Sequence, residues 1–137
     1  MNELEYNHHC FGCGEQNPHG LKLKFHREGD AVKASFVPRR EHQGYPGLLH
    51  GGITSTLLDE IMSRTINYLG EWAVTARLEV RFRRAISIEK PLLLEGRITG
   101  RKGRLIDTEG KILAENGELL AEAKGRFMVI KELPDPE

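Results

Sequence analysis

The sequence has no excess of either charge, no long apolar run and few cysteines. Its 137 residues include 20 Lys and Arg against 20 Asp and Glu, so the formal net charge is zero. General nucleic-acid binding depends mainly on neutralising phosphates, and a neutral chain is poorly suited to it. No apolar stretch approaches the roughly 18 residues of a membrane span. Two cysteines are too few for a disulfide scaffold, and the acidic, polar start is unlike a secretory signal. We therefore expect a cytoplasmic protein without nucleic-acid or membrane partners.

Length and composition favour one globular domain. Hydrophobic residues make up 39% and charged residues 29%, a balance typical of folded soluble proteins. The first 20 residues contain neither lysine nor arginine and are punctuated by glycine and proline. We predict a looped lead-in over residues 1–20, a folded domain over residues 21–130 and a loose tail over residues 131–137.

Apolar periodicity predicts two strands, one long helix and four further strands. A hairpin is predicted from Leu21 to Phe36, turning at Gly29-Asp30. Apolar residues at helical spacing predict an amphipathic helix from about His50 to Leu69. Later strands are predicted over residues 74–82, 92–98, 105–114 and 119–130. With tight turns between the last strands and no second helix to cover the sheet, we expect an antiparallel sheet packed on this helix.

The sequence His50-Gly51-Gly52 stands where loop becomes helix. The first amides of a helix have no partners within it and lie at the positive end of its dipole. Glycines there let a ligand approach the backbone closely. This arrangement can stabilise a phosphate or the oxyanion of an acyl-transfer intermediate. Alternatively, the glycines only permit a sharp turn.

Two adjacent carboxylates lie within the predicted helix. Asp59 falls at the margin of the apolar face of this helix. Burial there would raise its pKa. Alternatively, Asp59 is an ordinary solvated helix residue. Glu60 lies further round and one turn from Arg64, so we expect an exposed ion pair. Gly51 and Asp59 lie about 12 Å apart along the helix axis. A reacting carbonyl must lie about 3 Å from both groups. If both act, one subunit must supply Gly51 and another Asp59, which predicts at least a two-fold dimer.

Three segments carry a resemblance to a known family. They are His50-Gly51-Gly52 followed by Leu57-Leu58-Asp59, the strand Val74–Phe82, and the closing pattern of residues 117–123. A Cys-x-x-Cys-Gly opening over residues 10–21 adds to them. With this spacing, residues 21–130 resemble the hotdog-fold acyl-CoA thioesterases, in the phenylacetyl-CoA-thioesterase-like branch of the 4-hydroxybenzoyl-CoA thioesterase superfamily. The resemblance implies an α+β hotdog fold, in which a curved antiparallel sheet of about six strands surrounds one long helix and sites lie at a dimer interface.

The resemblance also implies roles for individual residues. The amide of Gly51 would polarise the thioester carbonyl, and Asp59 would be the nucleophile or the general base for water. Thr75 would orient the attack. His50 would shape the site, and Gly52 would contact the substrate.

One position departs from the family pattern. Many relatives have an asparagine six residues before the histidine, whereas this chain has Gly44. The neighbouring Gln43 could supply an amide and is a candidate substrate-binding residue.

The strand over residues 74–82 is expected to have two distinct faces. We expect one face to be apolar, formed by Val74, Ala76, Leu78, Val80 and Phe82. The opposite face carries Arg77, Arg81 and Arg83. Guanidinium groups bind phosphates in a bidentate manner, so these arginines are candidates for binding the phosphates of CoA. A solvated sheet face is the alternative.

The lead-in contains Cys10 and Cys13 at the spacing of a zinc knuckle. A closed structural site needs four ligands, which His8, His9, His19 or a second subunit could complete. A redox pair is another alternative, although no thioredoxin-like context precedes it. The spacing alone favours a Gly-rich turn, and we predict no cofactor and no metal, with a metal at the two cysteines as the alternative.

Together these observations predict an acyl-CoA thioesterase that binds an acyl-CoA substrate and self-associates to a dimer or tetramer. Two other functions remain open. A hotdog hydratase or dehydratase acting on an acyl thioester would use His42 or His50 with Glu60. A non-catalytic acyl-CoA binding protein would tolerate Asp59→Asn. Nothing in the sequence identifies the acyl group.

Overall fold

The computed structural model describes residues 9–130. The first eight residues, including His8, and the predicted tail over residues 131–137 lie outside this range. The chain forms β1 His26–Glu28, β2 Ala31–Phe36, α1 Gly51–Asn67, β3 Trp72–Phe82, β4 Leu92–Lys102, β5 Leu105–Ala114 and β6 Leu119–Ile130. A short 3-10 turn, Arg40–His42, precedes the helix. Within residues 9–130, no helix combines the length and apolar character that crossing a bilayer would require.

The six strands form one antiparallel sheet around the helix. Their order is β1-β2-β4-β5-β6-β3, so β1 and β3 are the edges. Helix α1 contacts every strand from β2 to β6. The predicted architecture, a six-stranded antiparallel sheet around one long helix, is therefore confirmed.

One face of α1 supplies the centre of the core. Five apolar side chains of this face are fully buried: Leu57, Leu58, Ile61, Met62 and Ile66. Burying each contributes roughly 1.5–3 kcal/mol relative to exposure. The helix lies so close to β4 that a Cβ added to Gly96 would be 2.5 Å from the carbonyl oxygen of Ile61. This contact fixes the depth of the helix in the sheet, and with it the position of both helix ends.

The prediction that a strand begins at Leu21 was wrong, because β1 starts only at His26. Leu21 and Leu23 are buried in alternation with exposed neighbours, as the pattern requires. Their amides, however, bond the carbonyls of Phe11 and Gly12 in the lead-in rather than a neighbouring strand. The intervening Lys22 has a positive φ of 55°, which is incompatible with a strand.

A bulge divides strand β3 into two parts that face opposite ways. Thr75 pairs with Phe127, and Arg77 pairs with Arg126, so Ala76 is the extra residue. The predicted single apolar face from Val74 to Phe82 was therefore wrong, because the bulge places Val74 on the face opposite Leu78 and Val80, which pack against the core. Because its pairing partner Phe127 is fully buried, Thr75 lies on the helix side of the sheet.

Candidate active site

A cavity of about 640 Å³ lies at the start of helix α1. Its walls include Gly44, His50 and Gly51 from the loop and helix start, and Phe82 and Arg83 from the end of β3 and the residue after it. The Gly51 position is open toward this space, since a Cβ built on it would come no nearer than 3.7 Å to Phe82. The glycine therefore leaves the first backbone amide of the helix accessible from the cavity.

His50 caps the helix and determines which amides remain available. Its Nδ1 accepts a hydrogen bond from the amide of Gly52 at 2.8 Å, so the ring carries its hydrogen on Nε2. Its carbonyl accepts the amides of Ile53 and Thr54 at 3.0 and 3.1 Å. Within the described part of the chain, the amide of Gly51 has no acceptor. The helix start thus presents one unpaired donor to the cavity, where it can stabilise a developing oxyanion.

A second polar feature lies further along the helix, where α1 faces β3. The Thr75 hydroxyl donates to Asp59 Oδ1 at 2.7 Å. Burial raises the pKa of Asp59 above its usual value, and the hydrogen bond from Thr75 partly opposes that shift. The expected burial of this carboxylate at the margin of the apolar face is therefore observed. A carboxylate with a raised pKa and an oriented free lone pair is suited to act as a base or nucleophile.

The two features do not meet within one chain. Gly51 lines the cavity, whereas Asp59 and Thr75 are not among its lining residues. Eight helical residues place Gly51 and Asp59 about 12 Å apart along the axis. One chain therefore contains an oxyanion donor and a carboxylate that cannot both touch one carbonyl group.

Gly44 and Gln43 lie in the loop that precedes the cavity. The side-chain oxygen of Gln43 accepts the amide of Gly47 at 3.0 Å, so this part of its amide is used within the loop. A Cβ at Gly44 would be 3.3 Å from the Cα of His50, which is tighter than an ordinary contact. His50 therefore leaves little room for the asparagine that many relatives have at the Gly44 position.

The predicted arginines separate into two groups. Arg83 lines the cavity together with Arg84, which the prediction did not include. Each has a carboxylate neighbour: Arg83 bonds Glu122 at 2.7 Å, and Arg84 lies 3.6 Å from Glu118. Arg77 and Arg81 instead lie beside other, smaller clefts. The only signal for Arg84 in the sequence was its position directly after Arg83.

The prediction of an exposed ion pair between Glu60 and Arg64 was wrong. The Arg64 side chain is only 7% exposed, and the Glu60 carboxylate is largely buried beneath the lead-in loop. Glu60 Oε1 lies 3.5 Å from Cys10 Sγ, and Arg64 donates to Cys13 Sγ at 3.1 Å. The Cys-x-x-Cys segment covers the helix face that carries these residues, so this face is not exposed to solvent.

The alternative dehydratase site would pair His42 or His50 with Glu60, and these side chains have separate surroundings. Nδ1 of the buried His42 accepts the Arg39 amide at 2.9 Å, and its ring packs on Phe36. His50 accepts the Gly52 amide at the helix start, whereas Glu60 contacts the cysteine segment. Among residues 9–130, neither histidine shares a hydrogen-bond partner with Glu60.

Comparison with known proteins identifies the family and agrees with the fold. The family model described as Thioesterase superfamily matches residues 46–121, which is more than half of the sequence. This segment includes helix α1, strands β3 to β5 and the first residues of β6. The chain therefore belongs to the thioesterase superfamily.

Individual relatives extend the comparison. The human acyl-coenzyme A thioesterase THEM5 is 32% identical over 60 residues, which are 44% of this chain and 24% of THEM5. The chain thus spans about a quarter of the length of this curated relative. A crystal structure of another thioesterase superfamily protein superposes with a TM-score of 0.83 and 28% identity, covering 88% of this chain and 60% of that one.

A further structure is that of a hypothetical thioesterase with coenzyme A from Streptococcus pneumoniae TIGR4. It superposes with a TM-score of 0.76 and 18% identity, covering 82% of this chain and 91% of that one. Two other structures of a hypothetical thioesterase from the same organism carry one alanine substitution each, of a threonine or of an aspartate. These structural likenesses establish the hotdog fold of the thioesterases.

Proposed function

We propose that the protein hydrolyses an acyl-CoA thioester to a free acid and CoA, at sites formed between two copies of the chain. The observation that carries the proposal is the unpaired amide of Gly51 at the wall of a cavity, with the Asp59–Thr75 pair on the same helix. An oxyanion donor and a carboxylate suffice for this reaction, because a thiolate is a good leaving group and needs little help from a general acid.

In the proposed reaction, the substrate carbonyl oxygen accepts the Gly51 amide hydrogen bond. Asp59 either removes a proton from water, which attacks the carbonyl carbon, or attacks that carbon itself. The carbon–sulfur bond then breaks and CoA leaves as the thiolate. Thr75 would hold the Asp59 carboxylate in its attacking orientation, and His50 would hold the helix start in place through its bonds to Gly52 and the following amides.

Two copies are needed because one helix cannot supply both groups to one carbonyl. The open edge of strand β3 supports their association. It is eleven residues long, lies at the end of the sheet, and carries exposed apolar side chains at Val74 and Phe82. Pairing of β3 with its counterpart in a second copy would satisfy the edge and bring each helix start toward the other chain.

Coenzyme A is the proposed carrier of the acyl group. Arg83 and Arg84 are at the wall of the cavity and are the arginines we propose for its phosphates. Gly52 and Gln43 are the sequence neighbours of the lining residues Gly51 and Gly44, and we propose that they contact the substrate. Arg77 and Arg81 could take part only if CoA extends along the outer sheet face of a neighbouring copy. The THEM5 relationship supports CoA as the carrier, since that protein is an acyl-coenzyme A thioesterase.

The spacing of the carboxylate and hydroxyl also supports their proposed roles. Asp59 and Thr75 are 16 residues apart. The aspartate and the threonine replaced in the two streptococcal structures are separated by the same interval.

The deciding experiment measures thiol release from a series of acyl-CoAs, from acetyl to long-chain and aromatic, with wild-type protein and Asp59→Asn. Asp107→Asn is the matched control, because Asp107 is exposed and paired with Arg126 on the sheet surface. We expect turnover by the wild type and the control, and a loss of roughly 100-fold to 10,000-fold in Asp59→Asn. Saturable binding of acyl-CoA without turnover in all three proteins would instead indicate a binding protein.

A further inference from the structure

The Cys-x-x-Cys segment and the outer side of helix α1 form a cluster that the proposed thioester chemistry does not use. The ligand atoms of Cys10, Cys13 and Glu60 all lie within 4.8 Å of one another. The two thiols are half-buried and the Glu60 carboxylate is more deeply buried. Cys10 is 50 residues from Glu60 in sequence, so only the fold brings the cysteines and the carboxylate together.

The lead-in backbone holds this cluster against the helix. The amide of Gly14 bonds the carbonyl of Cys10, which closes the turn between the cysteines. The carbonyls of Phe11 and Gly12 accept the amides of Leu21 and Leu23. Gly12 lies directly on Glu60, because a Cβ there would be 2.2 Å from the carboxyl carbon. Because residue 12 has no side chain, the loop can place the sulfurs of Cys10 and Cys13 beside the Glu60 carboxylate.

The spacing of the three groups matches tetrahedral zinc. With Zn–S near 2.3 Å and Zn–O near 2.0 Å, the S···O edge of a tetrahedron is about 3.5 Å. Cys10 Sγ and Glu60 Oε1 are 3.5 Å apart. Cys13 lies within reach of the same centre. Among residues 9–130, the cluster comprises these three groups and does not include the exposed His9 and His19.

Charge balance also favours a divalent cation. As zinc ligands the two cysteines are thiolates and Glu60 is a carboxylate, so the three groups together carry three negative charges. Arg64 donates to Cys13 Sγ at 3.1 Å and stacks on Phe25. Two thiolates and a carboxylate with a divalent ion and this guanidinium sum to zero. Arg64 can then stay outside the coordination shell as an N–H donor to a bound thiolate.

We infer that Cys10, Cys13 and Glu60 form a zinc-binding site that attaches the lead-in segment to helix α1. Two thiolates and one carboxylate are ligands that suit Zn²⁺ better than the hard cations Mg²⁺ or Ca²⁺. Zinc binds the deprotonated ligands, so binding releases to solvent any thiol proton still present, together with the Glu60 proton where that group is protonated. The inference is independent of the thioesterase reaction, since none of the three groups takes part in the proposed catalysis.

The experiment uses the full chain, reduced and stripped of metal with a chelator that is then removed. Cobalt(II) is titrated as a spectroscopic probe, zinc is added to displace it, and bound metal is counted by elemental analysis. We expect one ion per chain, a sulfur-to-cobalt charge-transfer band and the strong visible bands of tetrahedral cobalt. We also expect zinc to raise the melting temperature.

Cys13→Ser and Glu60→Gln are the ligand variants, and His19→Ala is the matched control beside the same loop. Because loss of an outer-shell group alone weakens metal binding 10- to 100-fold, each ligand variant should weaken it by about 100-fold or more, and the control should bind as the wild type does. Circular dichroism verifies that each variant is folded. Glu60→Gln keeps the size of the side chain and guards against a result due to misfolding.

Two outcomes would overturn the inference. One is a reduced wild-type protein that binds neither cobalt nor zinc at micromolar concentration. The other is metal binding that survives unchanged in folded Cys13→Ser and Glu60→Gln.

Discussion

The Thr75 hydroxyl donates a hydrogen bond of 2.7 Å to Asp59 Oδ1 and so joins strand β3 to helix α1. This contact depends on the bulge at Ala76, which turns Thr75 toward the helix. It leaves the other lone pairs of the carboxylate available, and it partly offsets the effect of burial on the pKa of Asp59. The pair therefore controls both the direction and the protonation of the proposed catalytic group.

The first prediction concerns the pH dependence of the reaction. Asp59 must be ionised to act as base or nucleophile, so kcat/KM should rise with pH through its pKa. The bond from Thr75 lowers that pKa. Thr75→Ala should therefore move the acidic limb of the profile to higher pH and reduce the rate on the plateau, whereas Thr75→Ser should keep the wild-type limb. A limb that stays at the same pH in Thr75→Ala would contradict this role for the hydroxyl.

The second prediction tests the amide of Gly51 by removing its N–H while leaving the side chains of the other site residues unchanged. Proline at the first helical position removes the N–H and fits the helix. The preceding His50 has φ −62° and ψ 134°, the conformation that a residue before proline prefers. Gly51→Pro should fold and lose about 100-fold to 1,000-fold in kcat, as expected for one oxyanion donor. Gly51→Ala retains the amide and should stay close to wild type. Equal loss in both variants would indicate crowding rather than a missing donor.

A mixing experiment tests whether each site is shared between chains. Neither Gly51→Pro nor Asp59→Asn should be active alone. When the two are unfolded and refolded together in equal amounts, half of the dimers are mixed, and each mixed dimer has one intact site. The mixture should therefore recover about a quarter of wild-type activity. If each site were contained in a single chain, mixing would restore no activity.

The fourth prediction concerns the packing of helix α1 against strand β4. A Cβ at Gly96 would be 2.5 Å from the Ile61 carbonyl oxygen, whereas a Cβ at Gly100 in the same strand would meet nothing within 4 Å. Gly96→Ala should lower the free energy of unfolding by about 1–3 kcal/mol, because backbone atoms must move. Gly100→Ala should change it by no more than about 0.5 kcal/mol. Denaturant unfolding at matched protein concentration measures both.

Periodicity predicted the fold because most elements bury one continuous face. The bounds predicted for β5 and β6 match the structure, and α1 begins at the predicted glycines. The Asp59 position at the edge of the apolar face followed from the same helical spacing. These features depend on residues close together in sequence, where a single pattern decides the outcome.

Other features depended on contacts between distant segments. The alternation at Leu21 and Leu23 comes from packing and from bonds to the lead-in, not from a sheet. No glycine or proline marks the bulge at Ala76, which is detected only through its pairing with β6. The helical spacing predicted that Glu60 is exposed, because the sequence does not show that the cysteine segment covers it. The small residue at Gly12 was the one signal in the sequence for that close approach.

The two edges of the sheet are unequal, and this has a consequence for how far assembly can proceed. Strand β1 has three residues, whereas β3 has eleven. Joining two copies through β3 would use up both long edges and leave a three-residue strand at each end of a twelve-stranded sheet. So short a strand offers too few backbone groups to recruit a third chain. Edge-to-edge growth would therefore terminate at two copies instead of continuing into a fibre.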